Sequence, residues 1–314
     1  MRFFITGGAG FIGSHLVDHL LGNATSSVTV YDNFVTGRRE FLEEHQEDPR
    51  LRIVEGDVLD LDSLSAAMAG HEHVYHLSAN ADISRGVSET DLDLKQTVLA
   101  TYNVLEGMRR QGVRRIVYSS GSGVYGDVGT VETAEHFGPL LPISLYGATK
   151  LGAEGLVSAF SHMFGMTAWI FRFANVVGGR QTHGVGFDFI RKLRNDPTAL
   201  EILGDGQQSK SYIHVTDIIA AIDYVIDASV GPVAVFNVAT GDYITVDEIA
   251  EIVASEMRLA NVQIRRTGGT RGWLGDVPLV RFNTDKILSL GWKPRYRSAE
   301  AVRAAVKAML ETGV

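Results

Sequence analysis

The sequence predicts an α/β fold: a Rossmann-type doubly wound parallel sheet with a smaller C-terminal substrate-binding lobe. Short runs of β-branched and aromatic residues alternate with helical patterns through the first half of the chain, as in successive βαβ units. A glycine cluster lies between the first such run and the first helical pattern. The length of 314 residues corresponds to about two domains of ~150 residues each, which leaves room for a second lobe.

Six strands with intervening helices are predicted before residue 175. The strands are expected at Arg2–Thr6, 27–31, 52–55, 73–77, 115–119 and Thr167–Phe173, and the helices at 13–21, 63–68, 97–111 and 146–164. Beyond residue 175 the pattern loosens, with a helix near 187–194, a strand at 236–238 and a helix at 245–257. Because no low-complexity linker separates the halves, we predict two interleaved domains: residues 1–174, joined by parts of 212–245, and mainly 175–314.

The composition excludes several classes of protein. With 29 basic and 37 acidic residues the formal net charge is -8, whereas general nucleic-acid binding requires a basic surface. The absence of cysteine excludes disulfides, thiolate metal sites and a cysteine nucleophile. The first strand is expected to begin at residue 2, which leaves no room for a signal peptide, and no apolar stretch reaches the ~20 residues of a membrane span. We therefore expect a cytoplasmic protein without nucleic-acid or membrane partners, whose redox chemistry, if any, comes from a cofactor.

The glycine cluster has the spacing G-x-x-G-x-x-G and the strand-to-helix context of a dinucleotide-binding turn. Glycines let the backbone approach a pyrophosphate, while the helix N-terminus supplies free N–H donors and the positive end of a dipole. The residues expected to make this contact are Gly7, Gly10, Phe11, Ile12 and Gly13. The alternative is a purely structural corner between strand and helix.

Asp32 is the second feature of a dinucleotide site. It lies 19 residues after Gly13, at the end of the second predicted strand. A carboxylate there accepts both ribose hydroxyls of an adenosine and repels a 2'-phosphate, which favours NAD over NADP. Arg38 and Arg39 keep NADP open, and a surface aspartate is the structural alternative. Asp57 ends the third predicted strand, where an adenine amino group would be bound.

Tyr146 and Lys150 are the candidate acid–base pair. They are four residues apart and therefore lie on one face of the helix predicted over 146–164. An ammonium beside a phenol stabilises the phenolate, so we expect the pKa of Tyr146 to be lowered toward the working pH. The alternative is an exposed helical pair without a catalytic role.

In order along the chain, these motifs resemble the extended short-chain dehydrogenase/reductase superfamily and, within it, the NAD-dependent UDP-sugar 4-epimerases. The motifs are the TGGAGFIGS turn, Asp32-Asn33, and residues 56–58, 76–79, 103–105, 124–126, 146–150, 171–175 and 212–215. The resemblance implies that NAD takes up and returns a hydride at C4 of a UDP-sugar through a 4-keto sugar, while Tyr146 takes the O4 proton. Lys150 would also hold the nicotinamide ribose. Further cofactor contacts implied by the resemblance are Asn33, Asp57, Val58, Leu77, Ser78, Ala79, Thr97, Ser119 and Phe173.

Three positions depart from the family pattern. Gly121 stands where a Ser or Thr usually bonds the sugar O4, so Ser120 or Ser122 would replace that group, or Tyr146 would contact O4 directly. Thr97 replaces an Asn, which affects one contact beside the nicotinamide, and Lys210 replaces an Arg, which turns a bidentate phosphate clamp into a point charge.

The loop before Val124 separates related reactions. Sugar-nucleotide 4,6-dehydratases carry an Asp-Glu pair there and UDP-glucuronate decarboxylases a Glu, whereas Ser122 and Gly123 offer no acid. Epimerisation, which needs only the reversible redox step, is the reaction that remains. A reductase or dehydrogenase that releases NAD(P)H and a non-catalytic dinucleotide sensor stay as alternatives.

The second lobe is expected to hold the UDP-sugar. The substrate-binding residues implied by the resemblance are Gly121, Ser122, Asn175, Val185, Leu203, Gln207, Lys210, Tyr212 and Arg271, with Lys210 and Arg271 as natural partners of a diphosphate. The glycines around Ser122 leave space for a C6 carboxylate as readily as for a hydroxymethyl group. UDP-glucuronate/UDP-galacturonate and UDP-glucose/UDP-galactose therefore both remain open.

Two further expectations concern metal and assembly. His71, His73 and His76 have no acidic or thiolate complement at ligand spacing beyond Glu72, so we predict no metal site. The resemblance also implies a homodimer through helices 97–111 and 146–164, although those apolar faces are equally compatible with packing inside one chain.

Overall fold

The structure is a computed structural model that describes residues 1–80, 83–228 and 231–313. Its strands are β1 (Arg2–Thr6), β2 (Ser27–Asp32), β3 (Leu51–Glu55), β4 (His73–His76), β5 (Arg115–Gly121), β6 (Thr167–Phe173), β7 (Asn175–Val177), β8 (Ala199–Ile202), β9 (Ser209–Lys210), β10 (Tyr212–His214), β11 (Val233–Val238), β12 (Ile244–Thr245) and β13 (Gln263–Arg266). Its α-helices are α1 (Phe11–Leu21), α2 (Leu61–Ala67), α3 (Ala100–Gln111), α4 (Leu145–Phe164), α5 (Val185–Asn195), α6 (Val215–Ala228), α7 (Val246–Glu256), α8 (Asp285–Ser289) and α9 (Ser298–Glu311). A π-helical turn, Leu94–Leu99, leads directly into α3, and 3-10 turns cover Arg39–His45, Ile83–Val87 and Ser122–Tyr125.

Seven strands form the central sheet in the order β11-β6-β5-β4-β1-β2-β3. The pairs β1–β2, β1–β4, β2–β3 and β4–β5 are parallel. The order reverses between β1 and β4, and ligands of such sheets bind beyond the carboxyl ends of the strands at this reversal. The predicted doubly wound Rossmann-type sheet is confirmed.

The chain forms two compact units. The first consists of Met1–Gly121, Leu145–Arg172 and Ile226–Phe236, and the second of Ser122–Ser144, Phe173–Val225 and Asn237–Val314. Both are built from separate segments of the chain. Residues 122–144, which the sequence placed with the first domain, group with the second unit.

The core of the first unit follows from the residues of its strands. Strands covered on both faces need apolar side chains at consecutive positions, and Val28, Val30 and Tyr31 of β2 are all buried. Phe4 of β1 and Ile116 of β5 belong to the core cluster that contains Tyr31. This packing fixes the positions of the loops that leave the strand ends.

The core of the second unit is built mainly from helices. Phe189 of α5, Ile249 of α7 and Val302 of α9 are buried in one cluster. A capping box, in which Thr245 and Glu248 bond each other's backbone N–H, begins α7. β7 pairs with β10 and β8 with β13 in parallel, and β9 pairs with β12 in antiparallel orientation.

Most predicted elements are present within a few residues of their expected bounds, but the helix predicted over 97–111 is not regular. Its first residues belong to the π-helical turn Leu94–Leu99, and the α-helix begins at Ala100. Helices α6 and α9 were not predicted, although the buried residues of α6 (Val215, Ile218, Ile219, Ile222 and Val225) follow helical spacing. No helix within the described ranges is long and apolar enough to cross a membrane.

Candidate active site

The glycine turn between β1 and α1 requires glycine at two positions. Gly7 has φ of +72°, and a Cβ there would lie 2.8 Å from the backbone N of Ser78. A Cβ at Gly13 would lie 2.2 Å from the carbonyl O of Gly7. No side chain caps the N-terminus of α1, whose first two residues are Phe11 and Ile12. Its first N–H groups have no intrahelical partner and are the donors that a pyrophosphate needs.

Asp32 lies at the carboxyl end of β2 with its carboxylate held in place. Its two oxygens accept the backbone N–H of Ala9 at 3.0 Å and of Phe34 at 2.9 Å. Burial raises the pKa of Asp32, and these two hydrogen bonds oppose that shift. A Cβ at Gly37 would lie 2.7 Å from one carboxylate oxygen. The remaining lone pairs suit the ribose hydroxyls of an adenosine.

The loop after β3 lies beside Asn33. Asn33 Nδ2 donates to Asp57 at 3.4 Å, and Asp57 also accepts the backbone N–H of Leu59 at 2.9 Å. Asn103 of α3 donates to the carbonyl oxygens of Val58 and Leu59 and so fixes this loop. Asn33, Asp57 and Val58 are therefore brought together as the resemblance implied.

The arginines that kept NADP open have other contacts. Arg39 forms an ion pair with Glu55, and its guanidinium lies 4.0 Å from the centre of the Phe34 ring. Arg38 lies over the ring of Phe41 at 5.7 Å.

At the end of β4, a buried histidine fixes the segment that carries Leu77, Ser78 and Ala79. His76 Nδ1 bonds the hydroxyl of Thr6 at 2.8 Å, and its Nε2 bonds the hydroxyl of Thr101 at 3.0 Å. Burial, with a smaller effect of Lys150, lowers the pKa of His76 to about 3, so its ring is neutral at pH 7.

Lys150 of α4 lies against the end of β5. Its Nζ donates to the carbonyl O of Ser119 at 2.7 Å and lies 5.7 Å from the ring centre of Tyr146. Burial lowers the pKa of Lys150 to about 8, while the negative charges of Glu154 and Asp93 act in the opposite direction. The structure thus brings the predicted pair together with Ser119.

The expected shift of Tyr146 was wrong in direction. Burial, and then the negative charge of Asp93, raise the pKa of Tyr146 to about 12. The sequence argument counted the ammonium of Lys150 and omitted both the loss of water around the phenol and the buried carboxylate. The phenol is therefore protonated in the structure as it stands.

Ser120 belongs to a buried network. Its hydroxyl donates to Glu154 Oε1 at 2.5 Å, and Glu154 also accepts from Arg172 Nε at 3.0 Å and Nη2 at 2.7 Å. Gly121 ends β5, and Ser122 begins the 3-10 turn Ser122–Tyr125. The hydroxyl of Ser120 donates its hydrogen bond to Glu154. It therefore has no hydrogen left to donate to O4 in place of the missing Ser or Thr.

In the second unit, the two cations expected to bind a diphosphate already have carboxylate partners. Lys210 Nζ lies 2.7 Å from Asp276 Oδ1, and Arg271 Nη2 lies 2.6 Å from Asp127 Oδ2. Arg271 also donates to the backbone carbonyl of Asp276. A diphosphate would therefore have to compete with these carboxylates.

The other predicted substrate residues of this unit differ in burial and in their contacts. Tyr212 is buried and bonds the side chain of Asn175, and burial raises the pKa of Tyr212 to about 12. Val185 begins α5, and Leu203 is exposed. Gln207 is also exposed and donates to Asp247 at 2.9 Å.

The model of the NAD-dependent epimerase/dehydratase family matches residues 3–239. The chain belongs to that family. Its cofactor is NAD, as predicted, and the resemblance to the extended short-chain dehydrogenase/reductase UDP-sugar 4-epimerases is confirmed.

Individual relatives cover almost the whole chain. A UDP-glucose 4-epimerase of Mycolicibacterium smegmatis is 31% identical over 315 residues, which is 98% of each chain. A solved UDP-galactose 4-epimerase has a TM-score of 0.89 and 37% identity and covers 100% of both chains. A dTDP-glucose 4,6-dehydratase from Streptomyces venezuelae, solved with NAD, has a TM-score of 0.91 and 27% identity and covers 99% of this chain and 97% of its own. Because a UDP-glucuronic acid decarboxylase is also 31% identical, the comparisons establish an enzyme of this family and leave the reaction to be argued from its residues.

Most of the site residues that the sequence did not predict are carboxylates. Asp93, Asp127, Glu154 and Asp276 each contact or face a predicted site residue. Arg172 was quoted only as part of a motif. The direct sequence signal was that Glu154 lies four residues after Lys150, on the same helical face.

Proposed function

We propose that this protein is an NAD-dependent UDP-sugar 4-epimerase that inverts C4 through a transient 4-keto sugar. The observation that carries this is the end of β5. The Tyr146–Lys150 pair is assembled beside it, while residues 119–123 contain no acid to protonate a leaving group. Glu154, which accepts from Ser120, also accepts hydrogen bonds from Nε and Nη2 of Arg172. A carboxylate held as the counter-ion of an arginine is unsuited to acid catalysis. An isomerase is the activity this combination supports best.

In this reaction the protein's own residues transfer the proton at O4, and the cofactor carries out the redox step. NAD supplies the acceptor and donor of the C4 hydride when bound. Once it has lost its own proton, the phenolate of Tyr146 takes the O4 proton, and the resulting phenol returns that proton when the 4-keto sugar is reduced on its opposite face. Lys150, which donates to the carbonyl O of Ser119, places an ammonium near the phenol and is proposed to hold the nicotinamide ribose. Because the pKa of Tyr146 is about 12, we expect a further positive charge beside the phenol to be needed before it acts as a base.

For the cofactor, the residues present fit a dinucleotide. A Cβ at Gly7 or at Gly13 would collide with backbone atoms, and the carboxylate of Asp32 is fixed at the adjacent strand end. The residues proposed to complete the binding of NAD are Asn33, Asp57, Val58, Leu77, Ser78, Ala79, Thr97, Ser119 and Phe173.

For the substrate, we propose that Lys210 and Arg271 bind the diphosphate of UDP. Asp127 is the carboxylate that a phosphate would displace, since the Arg271–Asp127 pair is partly exposed. Gly121, Ser122, Asn175, Val185, Leu203, Gln207 and Tyr212 are proposed to contact the rest of the nucleotide sugar. Both a hexose and a hexuronate remain candidates for the sugar.

The test is incubation of the purified protein, without added NAD, with UDP-glucose and UDP-glucuronate separately. We expect the C4 epimer of one of them, resolved by chromatography, because the cofactor is regenerated in each cycle. Tyr146→Phe is expected to lower turnover by about 10²- to 10⁴-fold. Tyr102→Phe, which removes an exposed phenol from α3, serves as the matched control.

Other products would overturn the proposal. A 4-keto-6-deoxy sugar would identify a dehydratase, a pentose with CO₂ a decarboxylase, and stoichiometric consumption of added NAD(P) a dehydrogenase or reductase. Binding of NAD without turnover of either sugar nucleotide would favour a sensor.

The proposed location and assembly are the cytoplasm and a homodimer. In the first unit, Leu94, Leu99, Tyr102, Met163 and Phe164 are large apolar side chains exposed around the π-turn, α3 and α4. Covering them in a helix bundle with a second copy removes this surface from water. Sedimentation should give twice the chain mass, and Leu99→Glu should give the chain mass.

A further inference from the structure

The carboxylate of Asp93 is buried and only half satisfied. Asp93 immediately precedes the π-turn Leu94–Leu99 and has no exposed surface. Its Oδ1 accepts Nδ2 of Asn80 at 3.0 Å, and its Oδ2 has no hydrogen-bond partner among residues 1–80, 83–228 and 231–313. Leaving a buried acceptor unbonded costs free energy, so such an atom calls for a functional explanation.

Its position points to the acid–base pair. A Cβ on Gly86 would lie 2.8 Å from Asp93 Oδ2 and 3.8 Å from Cβ of Leu145. The missing side chain at Gly86 thus leaves the carboxylate room beside the first residue of α4, which directly precedes Tyr146. From there its charge acts on both members of the pair, raising the pKa of Tyr146 and opposing the lowering of the pKa of Lys150.

The other charges near the pair are compensated. Glu154 also faces Lys150, but it is bonded by Arg172, and His76 is neutral. On the elements around Asp93, Asp91 pairs with Lys95 and Arg85 pairs with Glu89, all at the surface. Among the groups near the pair, Asp93 is therefore the buried carboxylate for which no ion pair with an arginine or lysine is found within the described ranges.

We propose that Asp93 is a positioning residue of the active site, whose carboxylate holds the ammonium of Lys150 charged and the phenol of Tyr146 neutral in the resting enzyme. The proposal rests on the proposed function in that Tyr146 and Lys150 are taken as the acid–base pair. This role explains why the carboxylate is buried. Tyr146 loses its own proton, and so becomes a base, only when a compensating positive charge binds.

The first test measures Lys150 directly and requires no turnover. The chain has seven lysines, so a protein labelled with ¹³C-lysine gives a simple spectrum, in which Lys150→Met identifies the Lys150 signal. In the intact protein we expect its titration midpoint near the pKa of about 8. Asp93→Asn preserves the shape and the bond from Asn80, and it should lower the midpoint by about one pH unit.

Two variants accompany this measurement. Asp91→Asn removes an exposed carboxylate two residues away and should leave the midpoint unchanged. Gly86→Ala forces Asp93 Oδ2 to move and should therefore change the midpoint, which keeps the test available if Asp93→Asn does not fold. An unchanged Lys150 midpoint in folded Asp93→Asn, or in Gly86→Ala if that is the variant that folds, would overturn the proposal.

The second test uses the pH profile of turnover. Removing the negative charge lowers the pKa of both Tyr146 and Lys150, so the acid limb and the alkaline limb of kcat should both move to lower pH in Asp93→Asn. A merely structural role would reduce kcat at every pH and leave the limbs in place. A shifted Lys150 midpoint without epimerisation of any UDP-sugar would refute the proposed function alone, whereas epimerisation with an unshifted midpoint would refute the role of Asp93 alone.

Discussion

Each compact unit contains an arginine–carboxylate pair of nearly the same length, and the two pairs differ in their access to water. Arg172 Nη2 lies 2.7 Å from Glu154 Oε2 in the first unit, with the side chains 5% and 7% exposed. Arg271 Nη2 lies 2.6 Å from Asp127 Oδ2 in the second, with the side chains 40% and 26% exposed. One pair is sealed within the protein, whereas the other can exchange its partner for a ligand.

The difference shows how the protein separates positioning from binding. The buried carboxylate of Glu154 takes a second bond from Arg172 and one from Ser120, so it holds the end of β5 beside Lys150. The exposed pair costs little to open because water solvates the separated charges. Binding an anionic ligand needs the second arrangement, and a fixed acid–base geometry needs the first.

The largest expected effect is on stability, from Glu154→Gln. It leaves the guanidinium of Arg172 buried without a counter-charge, and breaking a buried pair in this way costs about 3–5 kcal/mol. Urea denaturation monitored by circular dichroism would measure the free energy of unfolding. Asp127→Asn, the matched change in the exposed pair, should lower it by at most about 1 kcal/mol. Equal losses for the two variants would show that the pairs do not differ in this way.

An intermediate effect is expected for Arg271→Met on nucleotide binding. Losing a charged hydrogen-bond donor to a phosphate costs about 1.5–3 kcal/mol, which is roughly 10- to 150-fold in the Kd for UDP. Titration calorimetry would measure it, with Arg191→Met as a control at an exposed arginine outside the proposed site. Unchanged UDP affinity would remove Arg271 from the diphosphate site.

The smallest effect is expected for Asp127→Asn on the same Kd. Removing the competing carboxylate leaves Arg271 without an ion-pair partner at this position, and an exposed pair of this kind is worth at most about 1 kcal/mol. UDP should therefore bind up to about five times more tightly, with a smaller difference at high salt, where the pair is screened. Weaker binding would mean that Asp127 positions Arg271 for the ligand instead of competing with it.

The features that sequence reasoning recovered depend on residues close together in the chain. The glycine turn, Asp32 at the next strand end, and Tyr146 with Lys150 at helical spacing are local patterns, and the comparisons confirm the family, the fold and NAD. What it missed joins distant residues: Lys210 meets Asp276 66 positions away, and Arg271 meets Asp127 144 positions away. A local sequence pattern does not predict partners so far apart in the chain.

Backbone geometry and charge environment thus have different origins in this protein. A positive φ at Gly7 and an i, i+4 spacing on α4 are properties of short segments, so the order of motifs already specifies a doubly wound sheet that binds NAD. Which charges are free, shielded or buried depends on packing between segments far apart in the chain. Burial and Asp93 together reverse the shift expected for Tyr146, because the free energy of a charge depends on all the atoms that replace water around it.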